Sequence, residues 1–362
     1  MAALYVVMHH ACLNLKRGQA GDRTTGILQF VFGWGHSAVD VFIVLSGFCL
    51  MLPVVNQAHF GNVRAFLLSR AVRLVLPYYA ACVLSLILIA LYVGDRTGTH
   101  WDASLPVTHA GLVTHALLIH QWWPDTRAQI NHSLWSVGVE YQIYLLLPLI
   151  FWSFTKFGVW RTLAAIVPAS FALWRTTSRL DFPDPSPWGT SVYYIALFAM
   201  GAAAAKARFG KDAVAPPSPG DSALLGGFSL VMLAVLAYEI WGSHEVSLQV
   251  VSFFVGAGTA AFIYLRSWHT SSCPDGLRHR CLQMLGARSF SLYLVHAPIL
   301  QVAWLYVVLP MHLVHPGAQM LSMLGVGTAL SLLCSDVFYR AVERPCHRLS
   351  RRLGRQQARA AS

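Results

Sequence analysis

Residues 1–15, MAALYVVMHHACLNL, and residues 32–55, FGWGHSAVDVFIVLSGFCLMLPVV, decide how this chain must fold. Each is apolar enough to lie in a bilayer, and a short polar break joins them, so together they read as a membrane hairpin. The first carries His9 and His10 and the second Asp40. An ionisable side chain at membrane depth costs about 3 kcal/mol or more unless it faces a bundle interior, a partner or water. Two readings stand side by side here. A His from one helix and an Asp from its neighbour make half of a proton-abstraction site, the carboxylate orienting the imidazole and stabilising its protonated form. Equally, the same residues are a packed, hydrogen-bonded pair that closes the hairpin.

Working outward, the whole chain of 362 residues is 56% hydrophobic and 11% charged, with mean hydropathy +0.53. Soluble domains carry about 25% charged residues, so the composition is that of an integral membrane protein forming one helical bundle. The net charge of +11 is spread through the gaps between apolar runs, which excludes a folded nucleic-acid-binding face. Seven Cys without a CxxC spacing make neither a disulfide framework nor a zinc site, and no metal is expected. The first segment lacks the basic flank and cleavage site of a signal peptide. Its abrupt start inside an apolar run suggests a natural start further upstream.

A span needs about 20 apolar residues. Candidates are 1–15, 32–55, 74–94, 134–154, 162–174, 188–205, 223–241, 246–265, 285–309 and 318–339, about ten in all. The expected fold class is therefore all-α, a polytopic membrane bundle. The apolar run 109–123 is too short to span and is expected to dip in or lie at the interface, with His115 and His120 interfacial or structural. Trp122 and Trp123 fit an interfacial belt, with sugar stacking as the alternative. If the first helix runs outward, 19 of the 26 Lys and Arg fall on the inner side, which places both termini in the cytoplasm. Residues 1–345 then form the membrane domain and 346–362 an Arg-rich cytoplasmic tail drawn to anionic lipid. Residues 211–221, with APPSPG at their centre, read as a linker hinging two halves of the bundle.

Three further polar islands carry chemistry. In 66–79, FLLSRAVRLVLPYY, Arg70 and Arg73 share a helix face, a spacing that suits phosphate oxygens and equally an ordinary positive-inside flank. In 132–148, HSLWSVGVEYQIYLLLP, Glu140 sits within an apolar helix one turn beyond Ser136, either as a buried structural partner or as part of a site. In 286–300, GARSFSLYLVHAPIL, Ser289, Tyr293 and His296 line one helix face, a pattern that also glues helices together. Pro298 frees a carbonyl near His296.

Taken in order, AALYVVMHHA, VDVFIVLSGF, RAVRLVLPYY, LWSVGVEYQIYLLLP, SFSLYLVHAPI and the closing VERP give a chain that resembles the membrane-bound acyltransferase 3 family, bacterial enzymes that O-acylate sugars and related acceptors. The resemblance spans nearly the whole chain. The family's first motif is a basic residue, ten intervening positions and a His. Here that His is His10, with His9 the alternative, and the basic residue would precede Met1. The family's Asp falls on Asp40, its paired Arg on Arg70 and Arg73, its membrane Glu on Glu140, and its late pattern on Ser289, Ser291, Tyr293 and His296.

The resemblance implies an acyl-CoA donor, acetyl-CoA above all, entering from the cytoplasm with its phosphates near Arg70 and Arg73. It implies a carbohydrate or glycolipid acceptor on the outer side of a bacterial inner membrane. His10 is expected as general base, Asp40 as its orienter, and Tyr293 and Ser289 as donors to the oxyanion, with an acyl-imidazole route as the variant. Macrolide and lipid-linked sugars are alternative acceptors. Two other classes remain: a proton-coupled transporter, which would leave the donor thioester intact, and a non-catalytic envelope helper, which would tolerate loss of His10.

Overall fold

The computed structural model describes residues 1–13, 22–177, 192–211, 248–268 and 277–360. Every regular element among them is helical. In chain order these are α1 (Ala2–Leu13), α2 (Arg23–Phe32), α3 (Gly35–Met51), α4 (Val63–Leu88), α5 (His109–Ala116), α6 (Trp135–Phe157) and α7 (Val159–Thr177). They are followed by α8 (Tyr194–Phe209), α9 (Leu248–Trp268), α10 (Leu277–Ala303), α11 (Pro316–Ser322), α12 (Thr328–Phe338) and α13 (Arg344–Ala360). Wide helical turns extend α4 to Val93, α10 to Val308, and join α11 to α12 and α12 to α13.

Among the described residues six helical stretches are long and apolar enough to cross a membrane: Arg23–Val54, Val63–Val93, Trp135–Phe157, Gln249–Trp268, Leu282–Met311 and Pro316–Leu353. The 12-residue α1 is a shorter apolar helix. About ten spans are expected from the sequence, and the difference has identifiable sources. The expected span 162–174 is α7, where Arg161, Arg175 and three Thr dilute its apolarity; 188–205 is described only as the 16-residue α8. The expected span 223–241 and residues 212–221 of the linker lie outside the described residues. On α4 the exposed side chains Leu76, Val83, Ile87 and Leu91 recur at helical spacing, while Tyr78, Ala81, Cys82 and Ser85 are buried. An apolar outside around a polar-containing inside is the pattern of a helix facing lipid. The molecule is a membrane protein.

The chain forms two compact units, interleaved along the sequence. The first holds Met1–Ala38, Arg64–Tyr141 and the chain from Gly276 onward; the second holds Val39–Val63 and Gln142–Asp275. In the second unit α3 and α8 cross with their backbones nearly touching. A Cβ on Gly47 would lie 2.1 Å from the Phe198 carbonyl oxygen, and one on Gly201 would lie 1.9 Å from that of Val44. Only glycine allows this approach, and close backbone packing is a principal source of helix association in lipid.

In the first unit α1 packs against α10, and α10 against α12. Asp22 caps α2, accepting the Thr25 N–H at 2.8 Å, and the same bond holds its carboxyl below the usual carboxylate range. Between α4 and α6 the chain makes short helical turns and α5 rather than a span. Non-helical backbone at such a place must be satisfied by side chains. Asp102 accepts from Thr97 and Gly98, Gln129 from Thr108, and Trp101 fills the centre at 1% exposure.

Candidate active site

Helix α1 places His10 against α10, where His296 is fully buried. Their rings lie edge to edge in nearly one plane, 5° apart with centres 5.0 Å from each other, and His10 Nδ1 lies 2.7 Å from His296 Nε2. The proton positions follow from the partners. His296 Nδ1 lies 2.8 Å from the Tyr293 carbonyl and 3.1 Å from that of Leu292. A carbonyl only accepts, so Nδ1 carries the hydrogen and Nε2 of the neutral ring is an acceptor. His10 Nδ1 must then donate to it. The lone pair of His10 is thereby on Nε2, the nitrogen left to act as a base.

His296 thus makes with His10 the kind of hydrogen bond that the sequence leads one to expect of Asp40. Asp40 lies on α3 within the second unit, 1% exposed, and neither oxygen has a hydrogen-bond partner of ordinary geometry. Ser252 and Tyr193 are its polar neighbours there. His9, the alternative to His10, donates Nδ1–H to the Phe32 carbonyl at 2.8 Å and lies against Gly35, where a Cβ would come within 2.2 Å of its ring. It is a strut between α1 and α2, with its ring centre 5.2 Å from that of His10.

Two histidines not singled out from the sequence join the group. His132 meets His10 edge-on at 4.9 Å and His100 at 4.8 Å, and His100 stacks on His10 at 6.3 Å. Ser104 holds His132, accepting its backbone N–H and contacting its Nδ1, each at 3.1 Å. Burial, reinforced by the His100 imidazole, keeps His132 well below the ordinary histidine pKa and therefore neutral. Among the described residues no group of three or more His, Cys, Asp or Glu is arranged to hold a metal ion.

The α10 backbone is opened at a proline. Pro298 has no N–H, so the Leu294 carbonyl loses its helical partner. Asn131 Nδ2 takes that carbonyl at 3.0 Å and reaches Ser85 at 3.3 Å, tying the segment before α6 to α10 and α4 beside His132.

Tyr293 donates its hydroxyl to the Ser133 carbonyl at 2.8 Å and meets the Ser136 hydroxyl at 2.6 Å. Its one O–H hydrogen is thus engaged, and the expected role as oxyanion donor would require breaking that bond. Glu140 stands one turn beyond Ser136 and interacts electrostatically with Tyr293. Ser289, the other expected oxyanion donor, is seven residues from His296, about 10 Å along the helix. Its hydroxyl donates to the Gly286 carbonyl at 2.8 Å on the exposed end of α10. Ser291 instead is fully buried and gives both its N–H, at 3.0 Å, and its hydroxyl to Glu343. Glu343 in turn interacts with Arg73. Arg70 lies over the Phe66 ring at 5.4 Å. The chain Arg73–Glu343–Ser291 thus ends on α10 five residues, or about 8 Å of helix, before His296.

His115 and His120, expected to be interfacial or structural, are buried. They stack at 3.7 Å, and the Tyr78 hydroxyl lies 2.9 Å from His115 Nδ1 and 3.4 Å from His120 Nδ1. They pin α5 to α4. Trp123 is exposed, as a belt residue would be.

Comparison with known proteins places this geometry in context. The model of the family described as Acyltransferase domain matches residues 1–340. The chain is 24% identical over 364 residues to the acyltransferase MdmB of Streptomyces mycarofaciens, covering 96% of this chain and 89% of that protein. No solved structure matches.

Proposed function

The chain belongs to the acyltransferase 3 family, and from that premise we propose that it moves an acyl group, acetyl in the first instance, from cytoplasmic acyl-CoA to a hydroxyl of a cell-envelope or exported carbohydrate in a bacterial inner membrane. The supporting observation is the His10–His296 pair, which leaves His10 Nε2 as an acceptor in a group of imidazoles around the buried His296. An alcohol is a weak nucleophile near neutral pH, and an imidazole is the side chain best matched to removing its proton there.

The steps balance as follows. His10 Nε2 takes the hydroxyl proton as the acceptor oxygen bonds to the thioester carbonyl carbon. The tetrahedral intermediate collapses with cleavage of the carbon–sulfur bond, and His10 returns the proton to the departing thiolate, leaving an ester and free CoA. While His10 is an imidazolium, its Nδ1–H bond to His296 becomes charge-assisted and stronger. His296 holds the ring and its tautomer without placing a second permanent charge in a desolvated site. Arg70 and Arg73 receive the donor phosphates, and Glu140 and Tyr293 hold the start of α6 against α10.

The test is transfer of radiolabel from acetyl-CoA into envelope glycan by membranes bearing the wild type or His10→Ala. Label should enter the glycan only with the wild type. Transfer by His10→Ala at the wild-type rate would remove that residue from the mechanism. Uptake of glycan with the thioester left intact would point to a transporter.

A further inference from the structure

Attack on a thioester moves the π electrons of the carbonyl onto its oxygen, and a fixed donor must meet the charge that forms there. The residues expected for that task are engaged elsewhere. Tyr293 gives its O–H to the Ser133 carbonyl, and Ser289 bonds the Gly286 carbonyl at the exposed end of α10. A donor beside His10 is supplied instead by the turns before α6.

Ser104 is fully buried and fixes the His132 ring. Its oxygen accepts the His132 backbone N–H and lies beside His132 Nδ1, each at 3.1 Å. A backbone N–H only donates, so the hydrogen of the hydroxyl has Nδ1 as its acceptor. Burial keeps the ring neutral, and with Nδ1 accepting, its one hydrogen sits on Nε2. That nitrogen is closed off from solvent and has no hydrogen-bond partner. A buried donor left unmade costs about 1–3 kcal/mol, and a catalytic role is one recurrent reason for keeping one.

Two more buried donors without partners belong to the same neighbourhood. They are Trp101 Nε1, whose ring is centred 5.3 Å from that of His132, and Gln301 Nε2, whose carbonyl takes the Thr99 hydroxyl at 3.0 Å. Trp101 and Gln301 are wholly enclosed, at 1% and 0% exposure, whereas His132 and His10 are both half-buried. His132 is therefore the one of these rings and amides that a molecule touching His10 can also touch. A base and an oxyanion donor act on two oxygens of one carbon, each about 3 Å from its own oxygen, and so stand a few ångströms apart. The His10 and His132 ring centres, 4.9 Å apart, fit that spacing.

We infer that His132 is a further catalytic residue, its Nε2–H donating to the acyl oxygen as that oxygen turns negative. This rests on the acyl-transfer reading above. The carbonyl π pair moves to oxygen as the new carbon–oxygen bond forms and returns as the carbon–sulfur bond breaks. His132 keeps its proton throughout, whereas His10 gains one and gives it back.

The full-length protein in nanodiscs is assayed for label transfer from acetyl-CoA to envelope glycan, comparing wild type, His132→Leu and His132→Gln. The His132 tautomer is read in the wild type by solid-state NMR of 15N-histidine, with His132→Gln identifying the signal. The hydrogen should lie on Nε2. His132→Leu should lower kcat by about 10²–10³-fold, with the KM for acetyl-CoA changed by less than about threefold. Gln still offers an N–H and should recover about tenfold of that loss. The pH dependence of kcat/KM should stay in place, because His132 does not exchange its proton in the reaction.

A hydrogen on Nδ1 or an undiminished kcat in His132→Leu overturns the inference. So do equal losses in Leu and Gln, the mark of a packing role, or a displaced pH profile in His132→Gln, the mark of a base. Should His132→Leu fail to fold, the tautomer and the His132→Gln profile still decide. No transfer by the wild type would instead defeat the acyl-transfer reading itself, and this inference with it.

Discussion

At His10 a chain of carbonyl acceptors dictates where the hydrogens sit. The Tyr293 and Leu292 carbonyls put a hydrogen on His296 Nδ1, which makes His296 Nε2 an acceptor, which in turn makes His10 Nδ1 a donor. Replacing His10 by Ala should lower acyl transfer by about 10²–10⁴-fold, the usual share of a general base, with little change in donor affinity. His296 acts through His10, so its variants should separate by hydrogen-bonding ability. His296→Ala should cost about tenfold in kcat, while His296→Gln, whose carbonyl can still accept from His10, should recover part of it. A purely packing role for His296 would instead make the two variants equal. His10 and His296 were legible through their motifs, because both sit in apolar stretches where a polar residue stands out. His100 and His132 were not, since they come from short turns without periodicity, and only the folding of that segment brings them to His10.

At the scale of elements, the broken helix α10 and the segment before α6 complete one another. Pro298 leaves the Leu294 carbonyl unpaired and Asn131 pairs it. Asn131→Ala should therefore destabilise the protein by about 1–3 kcal/mol, the cost of a buried acceptor left unmade. Pro298→Ala restores an N–H to the helix, so the double variant should be more stable than the sum of the two changes implies, a coupling readable in a double-mutant cycle. That Pro298 frees a carbonyl was visible in the sequence; which side chain takes it was not. The α3–α8 crossing makes a second prediction. Gly201→Leu would drive a side chain into the Val44 carbonyl and should abolish the close approach, lowering the yield of folded, monodisperse protein in detergent. Gly26, exposed and with nothing within 4 Å of an added Cβ, is the matched control and should tolerate Leu.

For the whole molecule, buried neutral histidines link stability to pH. Burial pushes His115 down to about 4 from an unfolded value of about 6.5. Between these values the unfolded chain binds the proton and the folded one does not. The contribution is thus fully present above about pH 6.5 and is lost as pH falls toward 4, at most about 3 kcal/mol for this residue. Thermal stability should fall from pH 7 to pH 5, and His115→Gln should flatten that slope. Burial likewise keeps His120 and His132 well below the ordinary value, so both act in the same direction. The distribution of Lys and Arg further predicts that both ends of the chain face the cytoplasm. A C-terminal green fluorescent protein fusion should fluoresce and an alkaline phosphatase fusion at the same place should be inactive.

The sequence by itself determined that the chain is a helical membrane protein of the acyltransferase 3 family. Apolar run length and basic flanks are local properties, and motif order needs no folding to be read. It also singled out His10, His296, Arg70 and Arg73 as residues to examine. Only the tertiary structure decided that His296 Nε2 is hydrogen-bonded to His10 Nδ1, that Ser291 rather than Ser289 binds Glu343, and that the Ser350 hydroxyl of α13 bonds the Ser69 carbonyl of α4. Each of these depends on which helix faces meet, and that is set by close backbone packing and by side chains satisfying freed carbonyls far away in the chain, neither of which leaves a periodic mark on the sequence.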